Sequence, residues 1–372
     1  MSIPEKIETW QMVKGPKFDA ETKKVVTSGE LEKTQIPVPD LGPGEVLVEV
    51  AGCGVCHTDM SYFYDGVPTA TKPPLTLGHE ISGTVIGAGN GAESWIGKHV
   101  IVPAVMPCND CEICAQGRNN RCLNQKMPGN SLGIYGGFSS HIPVPAEDLC
   151  VIEDLQNRPL SHYAVVADAV TTPYQAAVKA GLGKGDPVLV IGVTGGVGVY
   201  MGQVARAFGA SPIIGMGRNE EKLDRALEYG CDYVINIRDK DFKEIQSEFK
   251  RLAQEAGVPH NVGWKIFECT GVGPAQELGL GLLGFTGKLV VVGFGMAKSS
   301  FMFSRLMALD SEIMGTWGCL PSYYPEVLKM VQAGTIKIDP LVDIRPMSTI
   351  KQAFEEAHSQ SPMKRLVLTN DF

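Results

Sequence analysis

The sequence has no excess of positive charge and no long apolar run. Its 372 residues carry 33 Lys and Arg against 41 Asp and Glu, a net charge of −8, which excludes the electropositive surface typical of proteins that bind nucleic acid or anionic membranes. No apolar stretch approaches the roughly 18 residues of a membrane span, and the N-terminal segment lacks the apolar core of a signal peptide. We therefore expect a cytoplasmic protein with no nucleic-acid partner and no membrane partner.

There is also no internal repeat and no low-complexity segment, and the chain is too long for one average domain. Between about residues 44 and 151, short β-rich runs such as Val46–Val50 are broken by Gly and Pro, which is typical of a partly open barrel with long loops. From about 169 to 313, apolar runs such as Pro187–Ile191 alternate with helical stretches such as Val199–Phe208. That alternation indicates parallel βαβ winding, so we predict an α/β protein.

The remaining segment returns to mixed character, with two helical stretches and a final strand near Arg365. We therefore predict that residues 1–168 and 314–372 form one β-rich domain. Residues 169–313 would form a doubly wound nucleotide-binding domain inserted into it.

Four of the ten cysteines are clustered: Cys108, Cys111, Cys114 and Cys122. In a chain without a secretion signal, such a cluster indicates metal ligands rather than disulfides. The spacing allows four thiolates to close around one tetrahedral Zn²⁺, and an iron–sulfur site is the alternative. Because protein ligands fill all four positions, we predict a structural ion. The other cysteines besides Cys56, namely Cys53, Cys150, Cys231, Cys269 and Cys319, are expected to be small buried residues.

A second group of candidate ligands lies upstream of this cluster. Cys56 offers a thiolate, His79 an imidazole, and Glu80 or a more distant residue a carboxylate. Three protein ligands with one open position define a catalytic zinc site. The alternative is a buried cysteine and a core histidine.

A glycine-rich loop follows the predicted strand Pro187–Ile191 and precedes a helix, an arrangement that favours pyrophosphate at a helix N-terminus. NAD enzymes place a carboxylate after the second strand, but here Gly217 and Arg218 stand in that place, which favours a 2′-phosphate and hence NADP. The predicted loop residues are Gly192, Gly195, Gly196, Val197 and Gly198.

These motifs, in this order, resemble the zinc-dependent medium-chain alcohol dehydrogenase family, and the resemblance covers essentially the whole chain. The residues that carry it are Gly54–Asp59, Gly78–Glu80, the four-cysteine segment and the glycine-rich loop. The resemblance implies a GroES-like catalytic domain plus a Rossmann nucleotide-binding domain. It also implies two zinc ions per chain, a nicotinamide cofactor, a small-molecule substrate, and dimers or tetramers formed through the nucleotide-binding domains.

The same resemblance implies roles for single residues. Cys56 and His79 would be ligands of the catalytic zinc, Glu80 a carboxylate that exchanges onto it, and Asp59 the partner that orients His79. Asp168 stands where the family often has a third ligand, Cys. The alternative for Asp168 is a cap of the following helix.

Thr58 would begin the path for the substrate proton, and its alternative is a simple core hydroxyl. Ser61 stands where many members have a histidine, so the last step of that path would pass through water. The resemblance further places His57, Thr172, Gly293 and Arg365 at the cofactor.

A narrower resemblance is to the branch that dehydrogenates 6-hydroxycyclohex-1-ene-1-carbonyl-CoA in anaerobic benzoyl-CoA degradation. It is carried by Gly54–Tyr64, Pro107–Arg121 and Ala164–Tyr174, and it implies a CoA thioester substrate and NAD. The alternatives are a dehydrogenase for a small alcohol or polyol, hydride addition to the C=C bond of an enoyl-CoA, and a non-catalytic nucleotide-binding protein.

Overall fold

The computed structural model describes residues 3–19, 21–22, 24–360 and 362–372. The chain divides into two compact units. Unit 1 contains residues 1–171, 318–332 and 338–372, and unit 2 contains residues 172–317 and 333–337. Among the described residues, no helix is long and apolar enough to cross a membrane.

The first part of unit 1 is rich in strands, because short β-branched runs are separated by Gly and Pro. Its elements end in a 3₁₀ segment, Leu160–Ala167. The strands and helices are β1 (Lys6–Lys14), β2 (Lys17–Phe18), β3 (Val25–Thr27), β4 (Glu30–Pro37), β5 (Glu45–Gly54), α1 (His57–Phe63), β6 (Leu75–Thr76), β7 (Glu80–Ala88), β8 (His99–Val102), α2 (Glu112–Ala115), β9 (His141–Pro145) and β10 (Cys150–Val151).

Unit 2 alternates strands with helices. Its central strand β11 (Val188–Ile191) is a continuous, fully buried apolar run, as expected in a parallel sheet that is covered on both faces. Its first helix begins one residue before the unit boundary. The elements are α3 (Thr171–Ala180), β11 (Val188–Ile191), α4 (Gly198–Ala207), β12 (Ile213–Gly217), α5 (Glu220–Glu228), β13 (Tyr233–Asn236), α6 (Phe242–Glu255), β14 (Lys265–Glu268), α7 (Gly273–Leu282), β15 (Lys288–Val291), α8 (Ser304–Leu309) and β16 (Glu312–Gly315).

The C-terminal elements complete unit 1. They are α9 (Tyr324–Gln332), β17 (Val342–Pro346), α10 (Ile350–Ser359) and β18 (Arg365–Thr369). β18 pairs antiparallel with β5, with Val367 opposite Gly54. The main sheet of unit 1 therefore has the order β10-β8-β7-β5-β18-β17, and β9 also pairs with β5.

The core of unit 1 packs against β5, whose Val46 and Val48 are fully buried. β5 and β7 run antiparallel, and Gly54 at the end of β5 lies opposite Glu80 at the start of β7. This register places the segment that carries Cys56 beside the segment that carries His79. The main sheet thus brings together two motifs that are separated along the chain.

Unit 2 contains a six-stranded sheet of order β13-β12-β11-β14-β15-β16, in which every pairing is parallel. The carboxyl ends of all six strands therefore lie at one edge. The strand order reverses between β11 and β14, and ligands of such sheets bind in the crevice at that point. The glycine-rich loop follows β11 and so lies there.

The predicted fold class is confirmed: a GroES-like β-rich unit and a Rossmann-type parallel α/β unit. The predicted helix Val199–Phe208 corresponds to α4, shifted by one residue. One prediction about the cysteines is wrong, because Cys269 is partly exposed while the other four unassigned cysteines are buried. Cys269 follows the last residue of β14 and lies in the loop at the sheet edge, outside the packed strands.

Candidate metal centres and nucleotide site

The four clustered cysteines meet in unit 1. The Sγ atoms of Cys111 and Cys114 are 3.5 Å apart, those of Cys111 and Cys122 3.8 Å, and those of Cys122 and Cys108 3.3 Å. Tetrahedral Zn–S bonds of about 2.3 Å place thiolates roughly 3.8 Å from each other, whereas a disulfide requires an S–S distance of about 2.05 Å. The donor set and its spacing therefore fit one structural zinc, and we call these residues the cysteine lobe.

The thiols of the cysteine lobe differ in acidity. Backbone N–H groups of Leu123 and Cys114 donate to Cys111 and lower its pKa to about 6. Burial raises the pKa of Cys114 to about 12. Thiols bind metal only when they are deprotonated. The positive charge of a divalent cation would stabilise the thiolate form of the buried Cys114 and so favour its deprotonation.

Cys56 and Asp59 form the start of α1. The Asp59 carboxylate accepts hydrogen bonds from the Cys56 N–H at 3.1 Å and from the Gly78 N–H at 2.9 Å. The same carboxylate lies 3.3 Å from Nδ1 of His79. Asp59 is fully buried; it fixes the turn that carries Cys56 and places its charge beside the imidazole, where a carboxylate that orients a metal-binding histidine is expected.

Asp168 follows the 3₁₀ segment and completes a mixed cluster with Cys56 and His79. Its Oδ2 lies 3.7 Å from Nε2 of His79 and 3.9 Å from Sγ of Cys56. Ligands of one tetrahedral zinc are roughly 3.3–3.8 Å apart, so one separation lies within this range and the other 0.1 Å above it, close to the spacing of groups that share an ion. We call Cys56, His79 and Asp168 the mixed site.

The mixed site is enclosed but reachable. Relative exposure is 5% for Cys56, and the side chains of His79 and Asp168 are 1% and 17% exposed. Burial by itself would lower the pKa of His79, but the negative charges of Asp59 and Cys56 outweigh it and raise that pKa well above its usual value. The same negative surroundings favour a divalent cation.

Glu80 contributes to the same group of ligand atoms, which all lie within 4.8 Å of one another. Its oxygens, however, accept hydrogen bonds from Arg365, at 3.0 Å from Nε and from a second guanidinium nitrogen. Burial raises the pKa of Glu80, and the Arg365 charge opposes that effect. Gly54 leaves the necessary space, because a Cβ there would lie 2.0 Å from Glu80 Oε2. That Glu80 exchanges onto zinc and that Arg365 contacts a cofactor phosphate stay predictions.

Two more predicted residues lie on the first turn of α1. Oγ1 of Thr58 is 3.7 Å from Sγ of Cys56, which places its hydroxyl beside the mixed site. The side chain of His57 is exposed, and its pKa is lowered by partial desolvation and by the charge of Arg365. Their roles toward substrate and cofactor stay predictions.

The glycine-rich loop of unit 2 is a tight turn between β11 and α4. Gly192 has φ +85°, a conformation that favours glycine. Gly198 begins α4, and a Cβ there would lie 2.0 Å from the Gly192 carbonyl oxygen. Gly195 donates its N–H to that carbonyl at 2.9 Å, and Gly196 and Val197 complete the turn. The N-terminus of α4 is therefore presented at the sheet edge, as pyrophosphate binding requires.

The end of β12 does not hold the carboxylate of an NAD site. A Cβ at Gly217 would lie 2.4 Å from Cγ2 of Thr194, so the loop residue fills that space. Arg218 is exposed, and its carbonyl accepts a hydrogen bond from Nε of Arg238 at 2.9 Å. Two arginines therefore lie at this end of the sheet.

The remaining predicted cofactor residues lie in unit 2. Thr172 is in the first turn of α3 and is 8% exposed. Gly293 follows β15, and a Cβ there would lie 2.2 Å from the Gly271 nitrogen, so the loops after β14 and β15 approach closely. No contact with a nucleotide is established for either residue.

Comparison with known proteins agrees with this geometry. Residues 42–154 match the model of the alcohol dehydrogenase GroES-like domain, and residues 196–333 match that of the zinc-binding dehydrogenase. An NAD-dependent alcohol dehydrogenase from Sulfolobus acidocaldarius is 30% identical over 335 residues, which are 88% of this chain and 91% of that protein. The chain belongs to the zinc-dependent medium-chain alcohol dehydrogenase family.

Other relatives in the comparison differ in substrate. Sorbitol dehydrogenase from Bombyx mori is 27% identical and covers 90% of this chain and 94% of its own length. Among solved structures, acetophenone reductase from Geotrichum candidum in complex with NAD has a TM-score of 0.80 and 25% identity, covering 99% of this chain and 98% of its own. As a member of the family, the chain is an NAD(P)-dependent zinc enzyme that acts on CH–OH groups.

Three features of this dehydrogenase escaped prediction from the sequence. Tyr324 hydrogen-bonds to the carbonyl of Ala167, next to Asp168. Buried Glu268 accepts hydrogen bonds from the backbone N–H groups of Thr270 and Gly271 and so fixes the loop after β14. Asn130 joins two loops of unit 1. An apolar or turn-rich pattern shows only that such residues are in a core or a loop. The partners of Tyr324 and Asn130 are also distant in sequence.

Proposed function

We propose that this dehydrogenase oxidises a cyclic secondary alcohol, with 6-hydroxycyclohex-1-ene-1-carbonyl-CoA as the candidate substrate and NAD⁺ as the hydride acceptor. The product would be the 6-oxo thioester of anaerobic benzoyl-CoA degradation. The observation that carries the proposal is the carboxylate of Asp168 at ligand distance from Cys56 and His79. The segment around Asp168 is also one of those that resemble the CoA-linked branch.

In this proposal the mixed site holds a zinc ion, which as a Lewis acid makes the substrate hydroxyl easier to deprotonate. Cys56, His79 and Asp168 would hold the ion, and Asp59 keeps the imidazole in the tautomer that leaves Nε2 free to bind. Thr58, whose hydroxyl lies beside Cys56, would begin the relay: it would accept the substrate proton while passing its own proton on, and the last step would release a proton to water. Residues 1–168 and 314–372 would serve substrate and metal, and residues 169–313 the nucleotide.

Two loops of unit 1 are candidates for holding the substrate. Asn130 donates to the Tyr62 hydroxyl at 2.6 Å and accepts from the Ala70 N–H at 2.8 Å. Asn130 also accepts from the Thr71 N–H through its own carbonyl at 2.9 Å. The loops 62–71 and 127–135 are thereby fixed to each other. Tyr62 is 4% exposed, so this connection is part of the packed unit.

A second candidate is a small polyol, favoured by the several relatives that are sorbitol dehydrogenases, including that of Bombyx mori. A third is hydride addition to the C=C bond of an enoyl-CoA. The net charge of −8 gives no general attraction for an anionic thioester, so CoA would need a local basic cluster.

The deciding experiment measures the absorbance of reduced nicotinamide with cyclic hydroxyacyl-CoA thioesters, the matching free alcohols and sorbitol. We expect kcat/KM for the cyclic thioester to exceed that for either free alcohol by roughly 100-fold, because the thioester supplies additional binding energy. A preference for sorbitol would overturn the proposal in favour of the polyol. Oxidation of NADH by an enoyl-CoA without a ketone intermediate would favour the third candidate.

The same assay decides the cofactor. Thr194 fills the space of the usual carboxylate, and Arg218 and Arg238 lie nearby, so residue chemistry leaves NADP open. We propose NAD on the basis of the CoA-linked resemblance. A kcat/KM at least ten times higher with NADP⁺ than with NAD⁺ would overturn that choice.

We also propose a homo-oligomer, a dimer or a tetramer, in a reducing cytoplasmic compartment. β16 is the edge strand of the unit 2 sheet, and Met296, Phe303 and Met307 in the preceding segment are 72–79% exposed. Such an edge with apolar neighbours is a favourable surface for pairing with a second copy. None of the ten cysteines forms a disulfide, as expected in a reducing compartment.

A further inference from the structure

A buried tyrosine holds the residue that precedes Asp168. Tyr324 begins α9 and is 0% exposed. Its hydroxyl donates a hydrogen bond to the carbonyl of Ala167 and accepts one from the Ala104 N–H at 3.2 Å. Tyr324 therefore ties α9 to two other parts of unit 1: the end of the 3₁₀ segment and the loop after β8.

The Ala167 carbonyl has a second donor. Oγ1 of Thr171 lies 3.2 Å from it, and Thr171 is 0% exposed. Ala104 and Ala167 are 3% and 0% exposed, so solvent cannot readily replace a lost partner. The peptide between Ala167 and Asp168 is thus fixed by one donor from a distant helix and one from the following turn.

The start of the 3₁₀ segment is anchored separately. Oγ of Ser82, on β7, donates to the Leu160 carbonyl at 2.8 Å. Ser161 lies so close to β5 that a Cβ at Gly52 would come within 2.8 Å of it. These anchors hold the segment against two strands: β5, which leads to Cys56, and β7, which begins just after His79. The end of the segment is held by the hydrogen bonds at Ala167 and by the Val170 N–H, which donates to the Val165 carbonyl at 3.1 Å.

We propose that Tyr324 is a positioning residue for the metal of the mixed site. Its hydroxyl fixes the Ala167–Asp168 peptide so that the carboxylate meets Cys56 and His79 at ligand spacing. The terminal torsion of an aspartate is broad, so the side chain alone does not fix where its oxygens lie. The backbone must therefore hold Cα and Cβ of Asp168 in place if an oxygen is to stay at ligand distance from Cys56 and His79. The inference rests on the proposed ligand role of Asp168.

Tyr324→Phe tests the inference by removing one oxygen and keeping the ring. Chelator treatment until one zinc per chain remains, followed by titration with Co²⁺, reports metal affinity and coordination geometry without any measurement of turnover. We expect about 10–100-fold weaker Co²⁺ binding than in wild type, the usual effect of removing a group that orients a ligand. The visible cobalt bands should shift as well. Cys56→Ala, titrated in parallel, identifies the bands of the mixed site.

Tyr163→Phe is the matched control. Tyr163 is also 0% exposed. Its hydroxyl donates to the Leu155 carbonyl and accepts from Arg158, both at 3.1 Å, so its partners precede the 3₁₀ segment. This variant should bind Co²⁺ as wild type does, with an unchanged spectrum. Thr171→Val removes the second donor to the Ala167 carbonyl and should also weaken Co²⁺ binding. If Tyr324→Phe does not fold, the Co²⁺ affinity of Thr171→Val tests the inference instead.

Wild-type Co²⁺ affinity and spectrum in Tyr324→Phe would overturn the inference, as would an unchanged Thr171→Val where the tyrosine variant is not stable. A wild-type chain that takes up no second ion would overturn both the ligand set and the inference. A wild-type site that binds Co²⁺ but is insensitive to Tyr324 and Thr171 overturns the inference alone.

Discussion

The cysteine lobe and the mixed site bring four and three ligands together by different means. The lobe draws its ligands from the short segment Cys108–Cys122, which contains only α2 and a 3₁₀ turn. The mixed site draws on residues up to 112 positions apart along the chain, from Cys56 to Asp168. In the lobe the metal organises the chain, whereas in the mixed site the folded unit organises the ligands.

This difference shows in the burial of the ligands and in what surrounds them. Cys108 and Cys111 are partly exposed and Cys114 and Cys122 are buried, while Cys56 and His79 are at most 5% exposed and the side chain of Asp168 is 17% exposed. Around the mixed site, the Asp59 carboxylate lies 3.3 Å from His79 and Tyr324 holds the peptide before Asp168. A site with four protein ligands has no room for a substrate, but a site with three ligands and an exposed edge does. We therefore expect the closed cysteine lobe to contribute to stability and the open mixed site to contribute to catalysis.

The largest expected effect is that of Asp168→Ala on turnover. Loss of the third ligand should weaken the metal of the mixed site and lower kcat/KM by about 10³-fold or more, since Lewis-acid assistance contributes several kcal/mol. Metal analysis should find one zinc per chain, held by the lobe, and the circular dichroism spectrum should be unchanged.

Asp168→Cys is the control for that change, because it restores a ligand of the kind the family often uses. This variant should keep two zinc ions per chain and retain more activity than Asp168→Ala. Wild-type turnover in Asp168→Ala would remove Asp168 from the ligand set. Loss of both ions from that variant would break the distinction between the two sites.

Cys111→Ser should produce the opposite pattern. Without this thiolate the lobe cannot close around its ion, and the polar segment loses the order that the metal supplies. We expect one zinc fewer per chain and a thermal midpoint lower by about 5–10 °C. Below that temperature, Co²⁺ bound at the mixed site should show its wild-type spectrum.

Cys231→Ser, a change of a buried cysteine in unit 2 that belongs to neither site, is the matched comparison for Cys111→Ser. It should keep both ions. If Cys111→Ser instead retained two ions while losing activity, the structural and catalytic assignments of the two sites would have to be exchanged.

The same difference explains how much of each site could be predicted from the sequence. The lobe is recognisable from spacing alone, because its ligands are local. Cys56 and His79 are suggestive only, and Asp168 joins them through resemblance to a family, since no local pattern reports a partner 112 residues away. The parallel sheet follows from alternating apolar and helical runs. Hydrogen bonds such as that of Tyr324 to Ala167 depend on three-dimensional packing, which no sequence period encodes.

The smallest expected effect concerns the support of the lobe by the rest of unit 1. Asp148 takes a hydrogen bond from the side chain of Asn109, next to Cys108, yet burial raises the pKa of Asp148 to about 6. Because the pKa is raised in the folded state, the folded protein is more stable when Asp148 is protonated than when it is ionised. Its contribution to stability is complete below the ordinary value of 3.8 and is lost as the pH rises through about 6.

Asp148→Asn keeps an oxygen that can accept from Asn109 and removes the charge. We expect the variant to be more stable than wild type at pH 7.5 by about 1 kcal/mol, a value reduced for the partial exposure of the group. The difference should disappear near pH 4, as measured by urea denaturation across pH. Equal stability of Asp148→Asn and wild type at pH 7.5 would mean that the charge of Asp148 is well solvated and does not destabilise the folded protein. The contact of Asp148 with the lobe would then have no effect on stability, and the order of the lobe would depend on its metal alone.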